Sequence, residues 1–256
     1  MEQVQTEASK SGQMQEREPA SAGQRQFLRT IPLLGEEGVA RLRAAHVAVF
    51  GLGGVGSFAA EALARAGVGT LTLVDADVVE ATNLNRQLVA LHSTLGMHKA
   101  EVMARRVADI CPDTRVLPRT EFFDGGSAAS FDFSRFDYVV DAIDSVESKV
   151  LLVLHAQAQG VSVVSSMGTG NKLDASALTV ADIYETSVCP LARVMRRRLR
   201  EQGVGSLGVV YSREVPRRTG SGAPASAPHV PPVAGMLLAG EVILDLSGVQ
   251  QGLPEH

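Results

Sequence analysis

Apolar runs of four or five residues alternate, through most of the chain, with longer stretches in which apolar positions recur every third or fourth residue. The short runs at 47–50, 71–74, 115–117, 138–142, 161–165, 178–183 and 208–212 have the length of strands, and most are rich in β-branched residues. The longer stretches at 36–42, 57–66, 97–110, 146–159, 189–202 and 233–246 have helical spacing. Strand and helix alternating in this order predict an α/β chain, a Rossmann-like three-layer fold with a mainly parallel, mixed sheet. The apolar helix at 233–246 is shorter than the ~18 residues a membrane span needs, so it is expected to pack on the sheet or on a second copy of the chain.

The first strand runs directly into Gly51-x-Gly53-x-x-Gly56, with Gly54 inside the turn, and a helix follows at once. Glycines let the backbone come close to a phosphate, while free N–H groups at the helix start and the positive end of its dipole hold negative charge. The second strand ends in Asp75, where a carboxylate can accept ribose hydroxyls. A nucleotide is therefore expected, but these features suit a dinucleotide and a triphosphate alike. Arg86, Lys99 and Asp144 tip the balance, each standing after or beside a strand end. A dinucleotide's pyrophosphate is held largely by backbone amides, whereas a triphosphate with its metal needs cationic side chains and a further carboxylate. Lys99 also opposes the dipole of the helix it opens, which a nearby anion would relieve.

Residues 1–26, rich in Gln, Glu and Ser without an apolar centre, are expected to be a disordered tail and not a secretory leader. Residues 27–246 then form one domain, 247–256 a C-terminal tail, and 214–232, rich in Pro, Gly, Ser and Ala, a flexible loop. Apolar content of 45% suits a packed core, and a net charge of −4 means that any nucleic acid must meet a local basic patch. With only Cys111 and Cys189, no disulfide framework can form; a soluble, cytoplasmic protein that meets no membrane is expected.

One helix offers such a patch. From Cys189-Pro190 onward, Leu191, Val194, Met195 and Leu199 share one arc, and Arg193, Arg196, Arg197 and Arg200 the opposite one, with Arg198 inside the apolar arc. The arginines read either as a solvated face or as a set of phosphate contacts. Cys189 stands at the expected N-cap, one turn from Arg193, an environment reactive thiols share; a buried structural cysteine fits there equally well.

Gly51-Leu-Gly-Gly-Val-Gly56, Leu73-Val-Asp-Ala-Asp77, Asn83-Leu-Asn-Arg-Gln87, Lys99 and Asp141-Ala-Ile-Asp144 together resemble the ATP-binding signature of the ThiF/MoeB/E1-like adenylating enzymes, which activate a carboxylate as its acyl-adenylate. Arg29-Thr30, Gly170-Asn-Lys-Leu-Asp174, Val180-Ala-Asp-Ile-Tyr184, Cys189-Pro-Leu-Ala-Arg193 and Ala239-Gly-Glu-Val-Ile243 narrow the resemblance to the tRNA threonylcarbamoyladenosine dehydratase branch. The resemblance implies an E1-like adenylation domain, with ATP and Mg²⁺ as cofactors and a tRNA carrying threonylcarbamoyladenosine as substrate. It also implies a homodimer, and a sulfur-transfer protein as a further partner.

It places Gly53 on the phosphates, Asp75 and Asp77 with Asn83 around the nucleotide, Arg86 and Lys99 on the phosphates, Asp144 on the Mg²⁺, and Arg29 as an arginine lent across the dimer. The alternative substrate is the C-terminus of a ubiquitin-like sulfur carrier, with Cys189 taking the sulfur or acyl group. Activators of such carriers usually bind zinc through two CxxC pairs, which two lone cysteines cannot supply. Asp174 is followed by Ala175-Ser176 where the branch usually has proline and threonine, which leaves that loop without proline's stiffening.

Overall fold

The structure is a computed structural model in which residues 25–220 and 224–249 are described. Of the expected tails at 1–26 and 247–256, residues 1–24 and 250–256 lie outside the described residues, as do 221–223 of the Pro/Gly-rich tract; Ser247, expected in the C-terminal tail, is instead buried at the end of a helix.

Seven strands form one sheet: β1 (His46–Phe50), β2 (Thr70–Val74), β3 (Arg115–Arg119), β4 (Tyr138–Asp141), β5 (Ser162–Ser166), β6 (Leu178–Asp182) and β7 (Gly208–Ser212). Their order is β3-β2-β1-β4-β5-β7-β6, parallel throughout except that β6 runs antiparallel to β7. The helices are α1 (Ile31–Ala44), α2 (Gly56–Ala66), α3 (Lys99–Ile110), α4 (Val146–Ala158), α5 (Pro190–Glu201) and α6 (Val230–Ser247). The central strands are apolar on both faces, as strands covered on two sides must be. Val47 and Val49 of β1 pack with α2, α3 and α6, while Ala48 and Phe50 pack with α4 and a cluster of phenylalanines at 123, 131 and 133.

Three helices differ from their sequence expectation, and α1 does so by beginning at Ile31, five residues before the expected start. α6 begins at Val230, inside the tract expected as loop, and its 18 residues with mean hydropathy 1.4 make it long and apolar enough to cross a membrane. Val230, Ala234, Leu238, Ala239 and Val242 are nevertheless fully buried in the core beside α2. Close contact is possible because Gly235 lacks a side chain, since a Cβ there would stand 2.2 Å from the Val55 carbonyl oxygen.

In α5 the buried positions are Ala192, Met195 and Leu199, and Leu191 and Val194 are only half-buried. The inward face is thus rotated by about 60° from the expected one. Arg198, expected among apolar neighbours, is instead exposed and reaches Glu147 at 3.4 Å.

Candidate active site

The sheet order reverses between β1 and β4, and their carboxyl ends leave the crevice where doubly wound folds take ligands. A cavity of about 740 Å³ opens there, lined by the first glycine turn, the ends of β2 and β4, the loop after β5 and the start of α5. Arg86, Lys99 and Asp144, predicted from three separate segments, all line it together with Gly51, Gly53, Gly54, Asp75, Asp77 and Asn83.

The glycine turn has its shape for two steric reasons. Gly51 sits at φ +85°, and a Cβ would stand 2.6 Å from the Ala142 carbonyl oxygen; at Gly56 it would stand only 1.8 Å from that of Gly51. At Gly53 the nearest atom is 3.8 Å away, so that side of the turn is open to a ligand.

Asp75 accepts the Leu52 N–H at 2.6 Å on one oxygen and the Asp77 N–H at 2.9 Å on the other. Burial pushes its carboxyl above the ordinary value of 3.8, against the pull of Lys99 and of those two amides. The buried Lys99 ammonium donates to Asp77 Oδ2 at 2.7 Å, so Asp77 holds the lysine at the cavity wall and the anion near this helix start is in part the protein's own. Asn83 shapes the next turn, accepting the Glu80 N–H at 3.1 Å. Arg86 follows it, its Nη1 donating to the Thr82 carbonyl at 3.0 Å and to Asn85 Oδ1 at 2.8 Å.

Asp144 stands exposed at the end of the β4 turn. Beneath it Lys149 Nζ lies 2.9 Å from Asp141 Oδ2, with both side chains sealed from solvent. Asp141 also accepts the Ser165 hydroxyl at 2.5 Å and the Ile143 N–H at 3.1 Å, and Lys149 donates to the Ile143 carbonyl at 3.1 Å. The turn that presents Asp144 is therefore tied down from below.

A triphosphate fits these groups. Arg86 and Lys99 supply cations and Gly53 leaves open backbone; the buried Gln87 side-chain carbonyl, without a partner among the described residues, accepts only and so suits a hydroxyl or amine of a ligand, not its phosphates. Among the described residues no group of three or more His, Cys, Asp or Glu could hold a metal. A Mg²⁺ ion here would have Asp144 as its protein carboxylate and would take its remaining ligands from the nucleotide's phosphates and water.

The far side of the cavity belongs to the loop after β5. Lys172 is buried there, donating to the Gly168 carbonyl at 2.8 Å, with Cys189 close to Gly168. The tract expected as flexible braces this loop: Asn171 N–H donates to the Ala225 carbonyl, Arg217 N–H to the Asn171 carbonyl, and Glu214 accepts the Leu173 and Asp174 N–H groups.

The remaining candidates lie elsewhere or differ from one another. Arg29 is exposed and does not line the cavity. Cys189 caps α5, buried, without a side-chain cap hydrogen bond, and does line it. Of the four arginines, Arg193 and Arg197 are exposed, Arg196 is tied to the Thr186 carbonyl and hydroxyl, and the Arg200 guanidinium covers the Tyr184 ring at 5.0 Å.

Lys149, Lys172 and Gln87 were not given site roles by sequence reasoning. For Lys149 a signal existed, because it shares the helical stripe of Leu152, Val153 and Ala156, all buried in α4.

The model of the ThiF family matches residues 24–253. A tRNA threonylcarbamoyladenosine dehydratase of Bacillus subtilis is 40% identical over 239 residues, 86% of this chain and 94% of that protein. The crystal structure of the Escherichia coli tRNA threonylcarbamoyladenosine dehydratase with AMP superposes with a TM-score of 0.83 at 34% identity, covering 88% of this chain and 94% of that one. The structure of the same enzyme with ATP gives 0.82 at 35% identity, covering 89% and 97%.

Proposed function

The chain belongs to the ThiF family, and from that premise we propose that it is an ATP-dependent, adenylate-forming enzyme that closes the threonylcarbamoyl side chain of a tRNA adenosine into a ring. The observation that carries this reading is the convergence of Arg86, Lys99 and Asp144 on one cavity with the first glycine turn. A site for the same chemistry scattered over separate surfaces could not bring two anions together.

The reaction joins the threonyl carboxylate to the α-phosphate of ATP, both negatively charged. Arg86 and Lys99 neutralise that charge and hold it as pyrophosphate departs. Asp144, fixed by the Lys149–Asp141 pair, would anchor the Mg²⁺, which when bound supplies further positive charge to the phosphates. Asp75 receives the ribose. Once the carboxylate is an acyl-adenylate, its carbonyl is attacked by an atom of the same side chain and AMP leaves. Ring closure is intramolecular, so proximity supplies much of the rate and no protein nucleophile is needed.

The exposed Arg193 and Arg197 on α5 suit phosphates of an anticodon stem-loop. The exposed Arg29, outside its own chain's cavity, suits a homodimer in which each copy lends it to the other, in the cytoplasm where tRNA is found.

The test is incubation of the full chain with ATP, Mg²⁺ and tRNA bearing threonylcarbamoyladenosine, followed by mass analysis of the nucleoside. Loss of the mass of one water is expected, with ATP:pyrophosphate exchange that depends on the modified tRNA. Exchange driven instead by the C-terminus of a small carrier protein would replace this substrate with the other.

A further inference from the structure

The three buried lysines of the described chain are not equally served. Lys149 faces Asp141 and Lys99 faces Asp77, each in a close ion pair. Lys172, 2% exposed, has no carboxylate in ion-pair contact among the described residues; its one hydrogen bond, to the Gly168 carbonyl, leaves two of its three N–H groups over. Glu214 is the acid whose charge reaches it, yet the Glu214 oxygens are turned to the Leu173 and Asp174 N–H groups.

A buried ammonium without a counter-ion is unfavourable, and one that lines a cleft is a candidate for completion by an anionic ligand. Burial accordingly pushes the Lys172 ammonium below the ordinary lysine range, opposed by Cys189 and Glu214.

The topology points to which anion is missing. On the activity proposed above, ribose and phosphates are assigned to the ends of β2, β1 and β4, where Asp75, the glycine turn and Asp144 line the cavity. Lys172 lines the same cavity from the next loop along, after β5, on the side away from Asp75. Arg86 and Lys99 already serve the triphosphate. What enters from the β5 side is the group to be activated.

We propose that Lys172 is the counter-ion of the substrate carboxylate, seating it against the α-phosphate of ATP; this rests on the activity proposed above. In that pose a carboxylate oxygen bonds to the α-phosphorus as the bond to the bridging oxygen of pyrophosphate breaks, and no proton is transferred. Lys172 selects an acid over a neutral side chain of the same shape.

The experiment compares two synthetic anticodon stem-loops in the presence of AMP, one carrying the threonylcarbamoyl group as the acid and the other as its primary amide. The native chain is expected to bind the acid about 30- to 100-fold more tightly, the range of a charged hydrogen bond at a buried site. Lys172→Met should bring the two within about threefold of each other while ATP affinity is kept, and Lys172→Arg should restore part of the preference. If Lys172→Met weakens ATP binding as well, the acid-to-amide ratio of Lys172→Arg against Lys172→Gln decides the same question. An unchanged ratio in the uncharged variants, or no preference in the native chain, overturns the assignment. A native chain that does not turn over the modified tRNA at all would instead overturn the proposed activity.

Discussion

Lys149 and Asp141 form a fully buried ion pair, Nζ to Oδ2 2.9 Å, directly below the turn that carries Asp144. Removing one partner strands the other's charge in the interior, a loss of about 3–5 kcal/mol. Lys149→Met should therefore lower the unfolding free energy by that amount, read as a lower urea midpoint. ATP affinity should fall as well, because the Ile143 carbonyl loses its donor and the Asp144 turn its support. Equal unfolding midpoints for the variant and the native chain would refute the structural role.

The two ends of the glycine turn separate folding from binding. Gly56→Ala places a Cβ 1.8 Å from the Gly51 carbonyl oxygen, so loss of soluble, folded protein is expected. Gly53→Ala meets nothing closer than 3.8 Å. Thermal unfolding should barely change there while calorimetric ATP binding is lost, since the methyl group occupies the side left open for phosphate.

Lys99 and Asp77 should not be equivalent under mutation. Lys99→Ala removes a cation from the cavity and leaves the exposed Asp77 facing the phosphates, so ATP affinity should fall by roughly 100-fold. Asp77→Ala removes only the group that holds the lysine and should reduce affinity by less than about tenfold. Fluorescence titration with a labelled ATP analogue distinguishes the two.

Asp75 predicts a pH dependence. Its folded pKa lies above the ordinary 3.8 because burial opposes ionisation. The native state therefore binds the proton more tightly than the unfolded one. Its contribution to stability is complete below about pH 3.8 and is lost as pH rises through the folded value. The stability of the native chain relative to Asp75→Asn should thus shrink from acid to neutral pH in unfolding titrations, and ATP binding should be weak in the variant throughout.

The arginines of α5 should divide into two classes. Arg193→Ala and Arg197→Ala should weaken tRNA binding without affecting the fold, each reducing the salt dependence by about one counterion. Arg196→Ala should lower the melting temperature first, because Arg196 holds the Thr186 carbonyl and hydroxyl. Uniform behaviour of all three would mean that the helix face is one solvated surface.

The strands, the helices and the nucleotide crevice were legible because they rest on local signals: period, glycine spacing and the placing of Asp75 at a strand end. Arg86, Lys99 and Asp144 could be named from position alone, and the cavity brings them together. The orientation of α5 was not legible at that accuracy. Its apolar residues allowed two neighbouring arcs, and the choice was made by contacts with Ile183 and Val204 from elsewhere in the chain. Lys172 stood within the Gly170–Asp174 motif but received no role for a related reason, since its burial depends on residues distant in the sequence. Glu214, Arg217 and Ala225, which brace its loop, carry no motif, and Arg217 and Ala225 act there through backbone groups that any sequence possesses.

β7 slots between β5 and β6, two strands made before it, and the Met167 N–H is held by the Val210 carbonyl. As the polypeptide emerges from the ribosome, the nucleotide crevice has all its strands by Ser166, whereas the loop bearing Lys172 gains its braces from Glu214, Arg217 and Ala225 only some fifty residues later. A nascent chain stalled in that interval has the parts of an ATP cradle and no firm seat for the acid to be activated.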